Sequence, residues 1–151
     1  MAVVVRPARA SDLDAVFAVW WATARPGRGA APTGSPALVL FRHELTTGQL
    51  WVAEEAGGLF GYAASFVRGD VMFLADLFVV PDRQLHGLGT ALLARALEHP
   101  AATRCTMSSL DPRALALYVR AGMRPRWPHL QLAADAPDLA ALPGKDVSVE
   151  P

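Results

Sequence analysis

The sequence predicts a single α/β domain of the α+β kind, residues 1–151, in which a mixed and mostly antiparallel central sheet is flanked by helices. Three observations predict it. Short β-branched and aromatic runs joined by the turns Gly57-Gly58 and Arg68-Gly69-Asp70 make an antiparallel meander. A strand, a helix and a second strand then follow between residues 71 and 110, and in one sheet that succession forces a right-handed crossover between parallel strands. The length, 151 residues with 52% hydrophobic and 19% charged side chains, suits one well-filled core and not two domains.

Residues 3–6 are a β-branched run. Ser11 reads as the N-cap of an amphipathic helix ending near Ala24, because Val16, Phe17, Trp20 and Trp21 recur at helical spacing. Residues 25–37 hold Pro26, Gly27, Gly29, Pro32, Gly34 and Pro36 and form a loop, either a binding loop or a disordered one. A shorter helix is expected over 37–45. Strands are expected over 50–55, 61–67 and 71–80; the third is apolar on both faces except at Asp76, which makes it central in the sheet. Residues 87–98 are a strong helix former that should pack against that sheet. After a strand over 103–110, Asp111 caps a helix with Pro112 at its first position, and Gly122 stops it. One more strand is expected over 127–133, at an edge because of Pro128. Residues 146–149 are the remaining candidate for a last strand.

The net charge of zero, from 14 basic and 14 acidic side chains, argues against a nucleic-acid partner held by phosphate neutralisation. The charge is not evenly spread. Residues 83–126 carry seven basic and two acidic side chains, and this is where an anion would bind. No apolar run approaches the ~18 residues that span a bilayer, and Arg6 and Pro7 come too early for a signal peptide, so no membrane partner is expected. A single cysteine, Cys105, makes no internal disulfide and suits a reducing, cytoplasmic compartment; a buried structural thiol is its expected role. His43, His86, His99 and His129 lack metal-ligand spacing, so no metal site is expected.

Chemistry concentrates where a buried strand passes through a short loop into a helix, at Gln84-Leu85-His86-Gly87-Leu88-Gly89-Thr90. Such a junction presents unpaired N–H groups and the positive end of a helix dipole, and Gly87 and Gly89 allow close approach of an anion. Neither the Walker nor the dinucleotide-binding glycine pattern fits, because no Gly-Lys-Ser/Thr follows and Leu92 stands where the third glycine would be. What does fit is Gln/Arg-x-x-Gly-x-Gly/Ala. This resembles the pyrophosphate loop of the GNAT superfamily of N-acetyltransferases. A second segment, with Asp111, Ala114, Leu117, Tyr118, Gly122 and Met123, resembles the later motif Asn-x-x-Ala-x-x-Leu-Tyr-x-x-x-Gly-Phe of that family. With the order of elements, the resemblance covers residues 3–133.

The resemblance implies an acetyl-CoA dependent N-acetyltransferase acting on a primary amine of a small molecule or peptide by direct transfer in a ternary complex. It implies that the two parallel strands splay and admit the pantetheine arm along Phe78, Val79 and Val80. Gln84, Leu85, His86, Gly87, Leu88, Gly89 and Thr90 would hold the diphosphate, and Asp111 would lie beside the arm. Arg83, His86, Arg120 and Arg124 are the nearest cations for the phosphates, each also readable as an exposed solubilising charge. The oxyanion would be held by a main-chain N–H at Val79 or its neighbour. Tyr118 would protonate the leaving thiolate, a task suited to a phenol near pKa 10, although spacing alone also allows it as a residue packed on the sheet.

The base is left open by the sequence. Residues 74–79 resemble the Leu-Glu-Asp-Phe-Phe-Val strand of diamine N-acetyltransferases, but the glutamate credited there with taking the amine proton falls on Ala75, and strand alternation points Asp76 to the opposite face. Asp76 therefore reads equally as a structural residue, as a ligand for a cationic substrate or as a base through water. Asp111 in place of the family Asn removes an amide donor and keeps the helix cap. These departures also admit a non-catalytic acyl-CoA-binding sensor or assembly module. The thin pattern after residue 133 leaves a sheet edge for a second copy, so a homodimer is expected. The loop 25–37 and the helix after it should wall the acceptor pocket.

Overall fold

The computed structural model describes residues 3–25, 27, 29–34, 38–101, 103–126 and 128. Strand β1 (Val4–Pro7) leads through a 3-10 turn at Ala10–Asp12 into α1 (Leu13–Ala24). Helix α2 (Leu38–Thr47) precedes the meander β2 (Gln49–Glu55), β3 (Gly58–Arg68) and β4 (Val71–Val79), and a 3-10 turn at Pro81–Arg83 opens α3 (Leu88–Ala96). Then come β5 (Thr103–Thr106) and α4 (Pro112–Arg120). The expected strands over 127–133 and 146–149 lie outside the described residues, apart from Pro128.

The sheet order is β1-β2-β3-β4-β5, antiparallel except for the parallel β4–β5 pair, with β4 flanked on both sides as its apolar sequence requires. Helices α1 and α2 cover one face. Val16, Phe17, Val19 and Phe41 pack there against Val52, Tyr62 and Ala64. On the other face Leu88, Leu92, Leu93 and Ala96 of α3 pack against Ala53, Ala63, Leu74 and Val79, with Leu117 and Tyr118 of α4 at the margin. The result is a three-layer sandwich with one apolar core on each side of the sheet.

Two local expectations fail for identifiable reasons. Ser11 does not cap α1; the entry is organised by Asp12, whose Oδ2 accepts from the Arg9 N–H at 2.7 Å and from Arg6 Nη1 at 2.7 Å, while Arg6 Nε donates to Glu54 at 2.6 Å. An ion pair tying β1 to β2 and to the helix start outweighs a serine cap. Cys105 is exposed and not buried, because β5 is short and forms the outer strand of the described sheet.

The feature that shapes the rest is an irregularity in β4. Ser65 pairs with Leu74 and Ala64 with Asp76, so Ala75 is an extra, bulged residue. Leu74, Leu77 and Val79 consequently contact the α3 core, while Phe78 and Val80 contact the α1–α2 core. Ala75 packs on the α1–α2 side too, and Asp76 reaches Tyr62 there. The expectation that Asp76 faces away from Ala75 is thus overturned by the bulge, which breaks the period-two alternation between them.

Leu92 is fully buried at the centre of the α3 core. Leu92→Ala should cost about 2–5 kcal/mol, read as a lower urea midpoint with an unchanged slope; a loss below about 1 kcal/mol would show that α3 is not docked as described.

Candidate active site

The parallel register between β4 and β5 runs from Val71 with Thr103 to Leu74 with Thr106 and stops there. The last rung is reinforced by the Thr106 hydroxyl, which donates to the Leu74 carbonyl at 2.9 Å. Strand β4 continues to Val79 without β5 beside it, because β5 ends at Thr106 and not at residue 110 as its sequence suggests. Val80 donates its N–H to the Phe60 carbonyl on β3. Alternation therefore turns the N–H and C=O of Val79 toward the open edge.

That edge runs into the loop that starts α3. Leu85 sits at φ +67° and Gly87 at φ +83°, both left-handed, and only the glycine adopts this without steric cost. Among the described residues, the N–H groups of residues 85–90 donate to no protein acceptor; the first bond of the helix is from Ala91 N to Gly87 O. Leu85, Gly87, Gly89 and Thr90 of this segment, at the N-terminus of α3, line a groove of about 380 Å³ together with Leu77, Val79, Gln84, Tyr118, Arg113 and Arg120.

The groove brings together most of the residues that the sequence nominates. Val79, Gln84, Leu85, Gly87, Gly89, Thr90, Asp111 and Tyr118 all line it. Phe78 and Val80 do not: they contact the α1–α2 core, and Phe78 stacks on Tyr62 with ring centroids 5.5 Å apart. Leu88 is buried in the α3 core, and His86 folds back to place Nδ1 2.7 Å from the Gln84 carbonyl. Of the nominated cations, Arg120 lines the groove. Arg83 is held elsewhere, 2.7 Å from Glu55 and with its guanidinium 4.3 Å from the centre of the Phe60 ring.

Arg113 is a groove residue that sequence reasoning missed. Its Nη2 and Nε bond to Asp111, and its Nη1 donates to Gln84 Oε1 at 2.6 Å; Gln84 Nε2 in turn donates to the Val79 carbonyl at 2.9 Å. The chain Asp111–Arg113–Gln84–Val79 spans the groove from α4 to the open strand. Its sequence signal is a cation two residues after a helix-capping aspartate, where it can neutralise the carboxylate that replaces the family amide.

Tyr118 stands at the wall of the groove. Burial pushes its phenol above the ordinary value, the charge of Asp76 pushes it further, and a hydrogen bond with Thr106 pulls the other way. A phenol so placed keeps its proton throughout the neutral range and is available as a hydrogen-bond donor to negative charge developing in the groove.

Behind β4, on the α1–α2 side, lies a cluster that the sequence did not reveal. The fully buried Tyr62 donates its hydroxyl to Asp76 Oδ2 at 2.8 Å, and Asp76 also shares a hydrogen bond with Glu44 of α2, which is 1% exposed. Oε2 of Glu44 is buried with no hydrogen-bond partner among the described residues. Burial, then the neighbouring Asp76, push Glu44 from an ordinary 4.5 up to about 8. Burial raises Asp76 as well, against the lowering effect of Tyr62 and Glu44. Two carboxyl groups in contact without a cation cannot both ionise readily, so the pair holds one proton at neutral pH. The only sequence sign of Glu44 is its place three residues after Phe41 on the inward face of α2. Among the described residues no group of three or more His, Cys, Asp or Glu is placed to hold a metal ion.

A carboxyl that holds its proton more tightly when folded favours the folded state fully below about 4.5 and loses that contribution as pH rises through about 8. The melting temperature should therefore fall between pH 6 and pH 9, and Glu44→Gln should remove about 1 kcal/mol or more of that fall, roughly 2–4 °C. Equal slopes in both proteins would show that Glu44 is ionised throughout.

The family model of the acetyltransferase (GNAT) family matches residues 13–123, well over half of the chain. No curated protein sequence matches. Among solved structures, an acetyltransferase of Trypanosoma brucei is similar at 19% identity with a TM-score of 0.70, covering 88% of this chain and all of that one. The ribosomal-protein-S18-alanine N-acetyltransferase of Escherichia coli is similar at 21% identity with a TM-score of 0.63, covering 80% and 77%. AAC(6')-Iy, solved in complex with the bisubstrate analog CoA-S-monomethyl-acetylneamine, is similar at 16% identity with a TM-score of 0.65, covering 89% and 99%. The splayed strands, the amide-rich start of α3 and the family match agree: this chain belongs to the GNAT family of acetyltransferases.

Proposed function

We propose that the chain transfers an acetyl group from acetyl-CoA to a primary amine of a small molecule or peptide, directly and within one ternary complex. The observation that carries this reading is the continuity of the open β4 edge with the unpaired N–H groups of residues 85–90. An extended amide-bearing arm can pair with the first, and a diphosphate can accept from the second. Arg113 and Arg120 add positive charge along the same groove. The coenzyme supplies an acetyl thioester, a carbonyl already activated for attack.

The chain's own groups then meet the remaining needs. The Val79 N–H, turned to the open edge, is placed to stabilise an oxyanion. Tyr118 holds the proton that the departing sulfur requires, and Asp76 is the acidic residue on the acceptor side of the strand. Helix α2 and the described part of the 25–37 loop, where Trp21 Nε1 donates to the Gly29 carbonyl at 3.0 Å, form the wall on that side. A cytoplasmic location suits the single Cys105 thiol and the donor; no helix among the described residues is long and apolar enough to cross a membrane. A homodimer in which a second copy completes the sheet edge beyond the expected strand 127–133 belongs to the same proposal, and a monodisperse monomer in light scattering would remove it.

One observation favours a second reading, a binding module without turnover: the Asp111 carboxylate is fully engaged by Arg113 and offers the arm no amide donor. Turnover separates the two. Calorimetry should show acetyl-CoA binding, and an amine panel should show acetylation; absence of binding at millimolar coenzyme removes both readings, and binding without turnover selects the second. Tyr118→Phe should lower kcat by about 100-fold with the coenzyme Kd unchanged. An unaltered kcat would transfer the acid role to water.

A further inference from the structure

We infer that Glu44 is a positioning residue for the acceptor half of this reaction: a carboxylic acid on α2 that donates a hydrogen bond to Asp76 of β4, alongside the Tyr62 hydroxyl, and so keeps Asp76 an anion at the bulge beside the open strand edge. This role rests on the acetyltransfer reading above and gives it a base.

The surroundings of the pair force the assignment. Glu44 lies on the buried face of α2 among aromatic rings: Phe17 and Trp20 of α1 approach Phe41 at 6.2 and 6.3 Å between centroids, and Tyr62 meets Phe41 edge-on at 5.7 Å. Strand β2 contributes Leu50 and Val52 to this core and β3 contributes Tyr62, which meets Asp76 of β4; Tyr118 of α4 packs on the α3 side of the sheet, and its phenol feels the Asp76 charge. On α2 itself Arg42 and His43 are exposed, and His43 lies against Phe66. Among the described residues no cation pairs with Glu44 or Asp76.

An ionised Glu44 would thus place a second negative charge in an apolar core where Oε2 has no donor among the described residues. As an acid it instead supplies a donor, and it does so to the one neighbour that needs it. Burial raises the proton affinity of the partly buried Asp76; two donors, Tyr62 and Glu44, act against that rise and favour its carboxylate form. The proton sits on the deeper, more enclosed carboxyl, and the charge sits on the one nearer the strand edge.

The proton balance follows. An acceptor arriving as an ammonium gives one proton to Asp76, directly or through one water, and becomes a neutral amine. Its lone pair forms the C–N bond, the C–S bond breaks with its electrons on sulfur, and the sulfur takes the Tyr118 proton. Tyr118 recovers a proton from the nitrogen of the adduct through solvent, and Asp76 releases its own to bulk water. The net reaction liberates one proton per acetylation.

The test is the pH profile of kcat/KM for an amine that the wild-type protein acetylates, with acetyl-CoA binding measured in parallel by calorimetry and protonated carboxyl groups counted by infrared difference spectroscopy. Wild type should show an acidic limb from Asp76 and an alkaline limb as Glu44 ionises. Glu44→Gln, which keeps an N–H donor and has no proton to lose, should retain the acidic limb, lose the alkaline one and lose one protonated carboxyl band at pH 7. Glu44→Ala should move the acidic limb upward by about one pH unit and lower the rate below that limb about tenfold, with coenzyme Kd unchanged. Tyr62→Phe should move the same limb in the same direction, and it serves if the alanine variant does not fold. An alkaline limb or a carboxyl band that survives Glu44→Gln overturns the role of Glu44, as does an acidic limb that neither Glu44→Ala nor Tyr62→Phe moves. Failure of the wild-type protein to bind acetyl-CoA is a different result: it removes the acetyltransfer reading, and the positioning role falls with it.

Discussion

Strand β5 leaves β4 at Leu74, and β4 goes on to Val79 with one side of its backbone unpaired by any strand among the described residues. An unpaired strand edge inside a sheet is costly unless something takes its hydrogen bonds, and here part of it is taken by a side chain, Gln84 Nε2 on the Val79 carbonyl. The remaining groups are available to an extended ligand. Since α3 begins only a few residues later, the same opening leads from strand amides to helix-terminal amides without a break. The groove is therefore a consequence of where two strands cease to pair, and the residues lining it inherit their positions from that event.

The bulge at Ala75 acts on the other side of the same strand. By inserting one residue it turns Leu74 to the α3 side and leaves Ala75 on the same side as Asp76 and Phe78, over the aromatic core beneath α1 and α2, while Leu77 and Val79 face the groove and α3. A single strand thus separates two electrostatic environments. On one side are amide donors, Arg113 and Arg120, suited to an anion. On the other is a buried acidic pair in an apolar setting, suited to moving a proton. Tyr118 feels both, since it lines the groove and responds to the Asp76 charge.

The legibility of these parts differs for physical reasons. The loop at Gln84, Gly87 and Gly89 was legible because backbone demands write themselves into composition: a left-handed position asks for glycine, and Gly87 occupies one. Asp76 was legible as an anomaly, a charge within an apolar strand, but its direction was not, because a bulge leaves no residue signature when the extra residue is alanine. Glu44 and Tyr62 were invisible as partners. They are 18 residues apart in sequence by simple numbering, on different elements, and a glutamate in a helix ordinarily reads as solvent-facing. Arg113 has little sequence signal, because its reach to Gln84, 29 residues away, depends on how α4 docks beside the loop.

What the sequence determined by itself is the order of elements, the meander, the crossover and the glycine loop, all of which depend on periodicity and backbone preference within a dozen residues. What only the tertiary structure decided is where β5 lets go of β4, which way Asp76 points, and that a glutamate of α2 reaches it. These depend on register between strands and on burial, quantities set by the packing of segments distant in the chain, and a carboxyl group acquires its proton affinity only after that packing has removed the water around it.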